Sequence, residues 1–223
     1  SIPLLLGLYR LIRNYELWWL FAGVAYFLLT ILFVRLAPVL LLPLFYRVEK
    51  FENYPLAERL KNLASKAGVK AVSVEKLFAS ERTKKPNAVF TGIGKSKRIL
   101  LFDTLLESFP EEEIETVLGH ELGHYANGDI YRFIVIDGAL SFPGFFLADR
   151  LMYYFSLDIA DVANFPKLVF ILLVFSLISA PLVNAYSRNR EKLADNFALE
   201  QTNNADAFIS NLKRLADLNL SEI

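Results

Sequence analysis

Three long apolar runs limit what this chain can fold into. Residues 17–34 carry no charge, with Trp18 and Trp19 at one end and Arg35 just past the other. Residues 131–155 are apolar but interrupted by Arg132, Asp137, Asp149 and Arg150. Residues 168–183 are aliphatic and aromatic apart from serines, and the run reaches Tyr186 if extended. A bilayer core of about 30 Å is crossed by about 20 helical residues, and a helix satisfies its own backbone polar groups there. The runs therefore read as three membrane spans, with the tryptophans as interfacial anchors. Three buried helices in a large soluble core is the other reading; the length of the runs and their aromatic flank favour spans. A hydrophobic content of 54%, nineteen phenylalanines and a mean hydropathy of +0.35 agree. Arg35 is expected to snorkel to an interface. Asp137 sits two turns into the second span and is expected to face an aqueous interior, as charges at bilayer depth do.

The rest of the chain divides around these runs. Residues 1–46 hold an interfacial segment and the first span, 47–130 a polar module, 131–186 the second and third spans, and 187–223 a helical C-terminal segment. A chain that opens on Ser1, has Met152 as its one methionine and stops just after a helical pattern is expected to be a segment of something longer. In the polar module, residues 54–68 place Leu56, Leu60, Leu63 and Ala64 at helical spacing, and Gly68 ends the pattern. Residues 72–78, 88–92 and 98–102 read as strands, the last two joined by residues 92–96 as a hairpin. The fold class expected is mainly α with a small antiparallel β-sheet, an α+β polar module within a multi-span membrane protein.

His120-Glu121-Leu122-Gly123-His124 contains both histidines of the chain. The motif falls on a helix expected over 110–127, stopped by Gly128. Ser108 and Glu111 suit a capping box, Pro110 the first turn, and Glu111, Glu112 and Glu113 the positive end of the helix dipole. At i and i+4 both imidazoles leave one face, so both reach one zinc ion while Glu121 reaches the attacking water. Two polar residues on a solvated face is the plainer reading of that spacing. A catalytic zinc needs a third protein ligand, and with no cysteine and no further histidine it must be a carboxylate. Glu191 is the choice, with Asp195 one turn on accepting the free ring N–H of a ligating histidine. Those two residues read equally as part of a surface helix of ordinary ion pairs.

Formal charge is zero and the pI about 6.7, which excludes the basic footprint of a nucleic-acid partner. Thirteen basic residues lie between Arg47 and Arg98 and five more follow the third run, so both polar segments are assigned to the cytoplasmic side. The absence of cysteine fits a reducing compartment. His124 precedes Tyr131 by seven residues and Glu191 follows Tyr186 by five, which puts the metal close to the membrane surface and its peptide or protein substrates in or on the bilayer. An extended substrate is expected to add to a free sheet edge beside the metal helix.

These pieces together resemble the type I CAAX prenyl proteases, integral-membrane zinc metalloproteases with bacterial relatives. The resemblance rests on Pro86-Asn87-Ala88-Val89-Phe90-Thr91-Gly92, on the run from Arg98 to Leu106, on His120 to His124, and on Ser187-Arg188 with Glu191, Ala194 and Asp195. It implies that His120, His124 and Glu191 bind one Zn2+, that Glu121 is the general base and acid, and that Asn87, Ala88, Val89 and Phe90 form the substrate-binding edge. On the residues alone, Asn87 is equally a turn residue after Pro86. Family members have more spans around a chamber and carry a downstream histidine and arginine beyond this chain's end. A heat-shock membrane protease, HtpX, is related, so prenylated tails and damaged membrane proteins are both open as substrates. An inactive zinc-binding segment or a scaffold with a closed structural zinc are the rival readings.

Overall fold

The computed structural model describes residues 17–36, 42–69, 72–91 and 97–220. The segments expected at 1–13 and 92–96, and the side chain of Arg35, lie outside the described residues. The described residues are mostly helical with one small sheet. In order it forms α1 (Trp18–Leu36), α2 (Leu42–Phe45), β1 (Arg47–Lys50), α3 (Tyr54–Lys66), β2 (Ser73–Phe78), β3 (Ala88–Thr91) and β4 (Arg98–Phe102). There follow α4 (Asp103–Ser108), α5 (Glu111–Ala126), α6 (Asp129–Tyr154), α7 (Phe165–Thr202) and α8 (Ala205–Leu220). The described residues fall into two compact units, one within residues 17–33 and 131–187, the other within residues 34–130 and 188–220.

In the first unit, α6 and α7 are long and apolar enough to cross a membrane, whereas the apolar part of α1, Trp18–Val34, is shorter. Phe170, Leu177, Ile178 and Leu182 of α7 are all more than 60% exposed, which is not how a soluble core helix packs. Polar side chains in these helices find partners within the unit. Asp137 accepts hydrogen bonds from Tyr26 Oη at 3.1 Å and Thr30 Oγ1 at 3.3 Å, and Asp149 from Trp18 Nε1 at 2.5 Å. A carboxylate among apolar side chains is costly unless bonded in this way.

The second unit is built on the sheet, whose strand order is β1-β2-β4-β3. The expectation of an antiparallel sheet is corrected: β1/β2 and β3/β4 are antiparallel, but β2/β4 is parallel, so the sheet is mixed. The link from β2 to β3 carries the chain past the position of β4, which then returns between them. Asp103 anchors the start of that link. Its Oδ1 accepts from the backbone N–H of Ala79 at 2.8 Å and of Ser80 at 3.0 Å, and its Oδ2 from Ser80 Oγ at 2.7 Å. β1, which the sequence reading omitted, is a charged, mostly exposed edge strand. Helix α3 starts on Asn53, whose Oδ1 accepts from Leu56 N–H, and ends before Gly68 at φ 76°. It buries Leu56, Leu60, Leu63 and Ala64, while α5 buries Ile114, Leu118 and Leu122; Leu77, Ile99, Leu100 and Leu101 complete this core.

The helix expected over 110–127 is present as α5, but the capping box is not. Ser108 ends α4, and Phe109 and Pro110 are extended, with Pro110 at the cap position and no side-chain cap bond. The Glu111 carboxylate instead accepts from Asn53 Nδ2 at 2.6 Å and pairs with Arg59. Beyond the third apolar run there is no separate helix carrying Glu191; α7 continues unbroken through it for 38 residues in all.

Candidate metal centre

Close approach of α5 and α7 builds the site, and two glycines permit it. A Cβ on Gly123 would stand 2.8 Å from Ala194 Cα and 3.0 Å from its carbonyl oxygen; one on Gly119 would stand 3.2 Å from Ala198 Cα. The facing residues Ala194 and Ala198, both fully buried, complete a seam in which the two backbones approach closely. The glycine inside the histidine motif therefore lets α7 bring Glu191 and Asp195 beside the rings.

Three candidate ligand atoms form a triangle. His120 Nε2 and His124 Nε2 are 3.1 Å apart, and Glu191 Oε2 lies 3.3 Å from the first and 3.7 Å from the second. Ligands at about 2.0–2.1 Å from a tetrahedral zinc stand about 3.3–3.4 Å from one another, so the three edges match one face of such a shell. The tautomers agree. His120 Nδ1 lies 2.8 Å from Asp195 Oδ1, and His124 Nδ1 lies 2.8 Å from Asp129 Oδ2. A carboxylate only accepts, so each Nδ1 carries the proton and each Nε2 turns a lone pair inward. Both lone pairs and the Glu191 carboxylate thus converge on one point, a donor set that suits a cation. Imidazole and carboxylate are donors that zinc accepts, and the fourth side of the shell is open among the described residues.

Asp129 was missed in the sequence reading, as was its partner. It is 3% exposed, and its Oδ1 accepts from Arg190 Nε at 2.6 Å, with Arg190 itself 7% exposed. The signal was its place five residues after His124, across Gly128 at φ 64°, where the backbone turns the next helix's first side chain back onto the ring. Glu121 is half-buried; burial pushes its carboxyl above the usual carboxylate range, His120 and His124 pull it back, and Glu191 adds to the rise.

Helix α8 braces the outer face of α5. Glu113, 3% exposed, accepts from Arg214 Nε at 2.8 Å and Ser210 Oγ at 2.7 Å, while Asn211 Nδ2 donates to Thr116 Oγ1 at 3.1 Å.

The residues expected at the substrate edge lie on or just before β3, which pairs with β4 alone and leaves its other side without a strand among the described residues. Phe102 N–H donates to Asn87 O at 3.1 Å, and alternation along the β3/β4 register turns the main-chain groups of Ala88 and Phe90 to that free side. Ala88 is buried, Val89 and Phe90 are half-buried and Asn87 is exposed. The Asn87 carboxamide accepts from the N–H of Ala88 at 2.9 Å, so it folds back onto the strand it precedes.

Known proteins resemble this chain in sequence and fold. The sequence profile of Peptidase family M48 matches residues 51–221, which include every residue of the site. An uncharacterized metalloprotease, YhfN, of Bacillus subtilis (strain 168) is 32% identical over 96% of this chain and 53% of its own length. A probable CAAX prenyl protease 1 of Schizosaccharomyces pombe is 32% identical over 92% of the chain and 44% of its own length. The crystal structure of S. mikatae Ste24p superposes with a TM-score of 0.73 at 26% identity, covering 99% of this chain and 55% of that one. The chain thus spans about half the length of the relatives it matches. With the match running through both the sheet and the two helices that carry the site, the chain belongs to Peptidase family M48.

Proposed function

We propose that this chain is the peptide-hydrolysing part of a membrane-bound zinc metalloendopeptidase. The triangle of His120 Nε2, His124 Nε2 and Glu191 Oε2 is the observation that carries the reading. A zinc ion held there would polarise the scissile carbonyl and acidify a water molecule. Glu121 takes the proton of the attacking water and delivers it to the leaving amine; its partly desolvated carboxyl favours that exchange. Asp195 and Asp129 fix the two rings and make their Nε2 atoms better donors. The free edge of β3 takes the substrate as an added strand, which makes recognition depend on main chain more than on side chains. Asn87 swings off the Ala88 N–H when that strand docks.

Membrane residence is supported by α6 and α7, with α1 as a further apolar helix. Along the chain, α6 follows His124, and the apolar run of α7 precedes Glu191 on the same helix. This supports a site near the bilayer surface, acting on membrane-associated proteins or peptides as CAAX prenyl proteases do. The basic polar segments support a cytoplasmic catalytic module.

The experiment is Glu121→Gln. It should keep the metal and lose turnover of a peptide substrate by roughly 100-fold to 10,000-fold. A variant that lost zinc together with activity would contradict the role given to Glu121. Protein captured by the same variant from its own membranes identifies the substrate.

A further inference from the structure

We propose that Lys97, Tyr125 and Phe90 form a cationic aromatic subsite that selects peptides with an acidic side chain near the scissile bond; this rests on the protease reading above. Tyr125 follows Glu121 by four residues on α5, so the two side chains leave the same face of the helix one turn apart. Phe90, on the edge strand, sets its ring edge-on to Tyr125, with centroids 4.9 Å apart and planes at 70°. Lys97 Nζ donates to Tyr125 Oη at 2.7 Å and stands 5.0 Å from the centroid of the same ring. The three side chains thus join the edge strand to the metal helix one turn beyond the proposed base. A peptide strand lying on the free side of β3 passes this wall, and its alternate side chains point toward it.

The charge on Lys97 is what gives the wall a preference. Among the described residues it pairs with no carboxylate; a neutral phenol and the face of an aromatic ring hold it in place. Several arginines of this unit are matched, Arg98 with Glu75, Arg59 with Glu111 and Glu115, Arg190 with Asp129 and Arg214 with Glu113, whereas Lys97, like Lys76 and Arg82, stands over an aromatic ring. Tyr125 is 40% exposed and Lys97 half-buried, so the pair is open to a ligand and still partly shielded from water. A glutamate or aspartate of the substrate gains the ammonium and keeps its aliphatic stem on the Phe90 and Tyr125 rings. A lysine there meets a like charge.

The test is a fluorogenic peptide series in which Glu, Gln or Lys is scanned through each position flanking the cleaved bond. Cleavage is measured with the detergent-purified, zinc-loaded protein and with its Lys97→Glu variant. Binding of the same peptides to Glu121→Gln, with and without Lys97→Glu, is read by fluorescence anisotropy. At one position the unaltered protein should prefer Glu to Lys by about tenfold in kcat/KM. Lys97→Glu should reverse that order in cleavage and in binding alike. An unchanged Glu-to-Lys ratio in the variant overturns the subsite and leaves the protease reading intact. No cleavage of any peptide by the unaltered protein overturns the protease reading, and the subsite falls with it.

Discussion

The Nδ1 of His124 and the Oδ2 of Asp129 lie 2.8 Å apart, and the other oxygen of Asp129 takes the Nε of the buried Arg190 at 2.6 Å. The ring direction of one candidate ligand is therefore tied to the residue just before another, Glu191. Asp129→Ala should weaken zinc binding by about 10–100-fold and, by leaving Arg190 buried without its partner, lower stability by about 3–5 kcal/mol. Asp129→Asn keeps an acceptor for the ring and should lose less affinity. Chelator competition and thermal unfolding of the zinc-free protein separate the two effects. A less stable Asp129→Ala protein with unchanged zinc affinity would show that the pair only supports the fold.

Gly123→Ala should act on the site through the backbone. The new Cβ would lie 2.8 Å from Ala194 Cα, so α7 must move away from α5 and carry Glu191 and Asp195 with it. Overpacking of this kind costs about 1–3 kcal/mol, and zinc affinity should fall along with the melting temperature. Gly119→Ala, whose nearest contact is 3.2 Å, should be milder on both counts.

Acid should loosen the helix brace on α5 through Glu113. Burial alone would raise its pKa, but hydrogen bonds from Arg214 and Ser210 and the Arg214 charge outweigh burial and hold it below the usual carboxylate range. A carboxylate depressed in the folded state stabilises fully above its unfolded pKa of about 4.3 and loses that contribution as pH falls through the lower folded value. Denaturant titrations of the zinc-free protein should therefore show stability declining below about pH 4.3. Glu113→Gln should be less stable at neutral pH and show a flatter acid limb. An equally steep limb in that variant would assign the acid sensitivity elsewhere; Asp103, also depressed against its burial by bonds from Ser80, Ala79 and Thr104, is the next group to replace.

Local patterns in the sequence were the legible part. Leu56, Leu60 and Leu63 at helical spacing gave α3, and two apolar runs joined by a glycine-containing connection gave the antiparallel pair β3/β4. The histidine motif placed two rings on one face, because helical geometry fixes which residues stack. What stayed hidden depends on where the chain returns in space. The parallel β2/β4 pairing follows from the path between strands, to which residues 79–87 give no periodic clue. Ser108 had the right identity for a cap, but the extended backbone at Phe109 and Pro110 moved it out of reach. Asp129 stands beyond the helix stop at Gly128 in the sequence, and only the turn there brings it onto His124.

The zinc content of the purified protein beside that of Glu191→Ala tests the central claim most directly. Convergence of His120, His124 and Glu191 on one cation predicts one zinc per chain in the unaltered protein and a large loss of bound zinc after removal of the third ligand. Full zinc occupancy in Glu191→Ala, held as tightly as in the unaltered protein, would contradict the proposed centre.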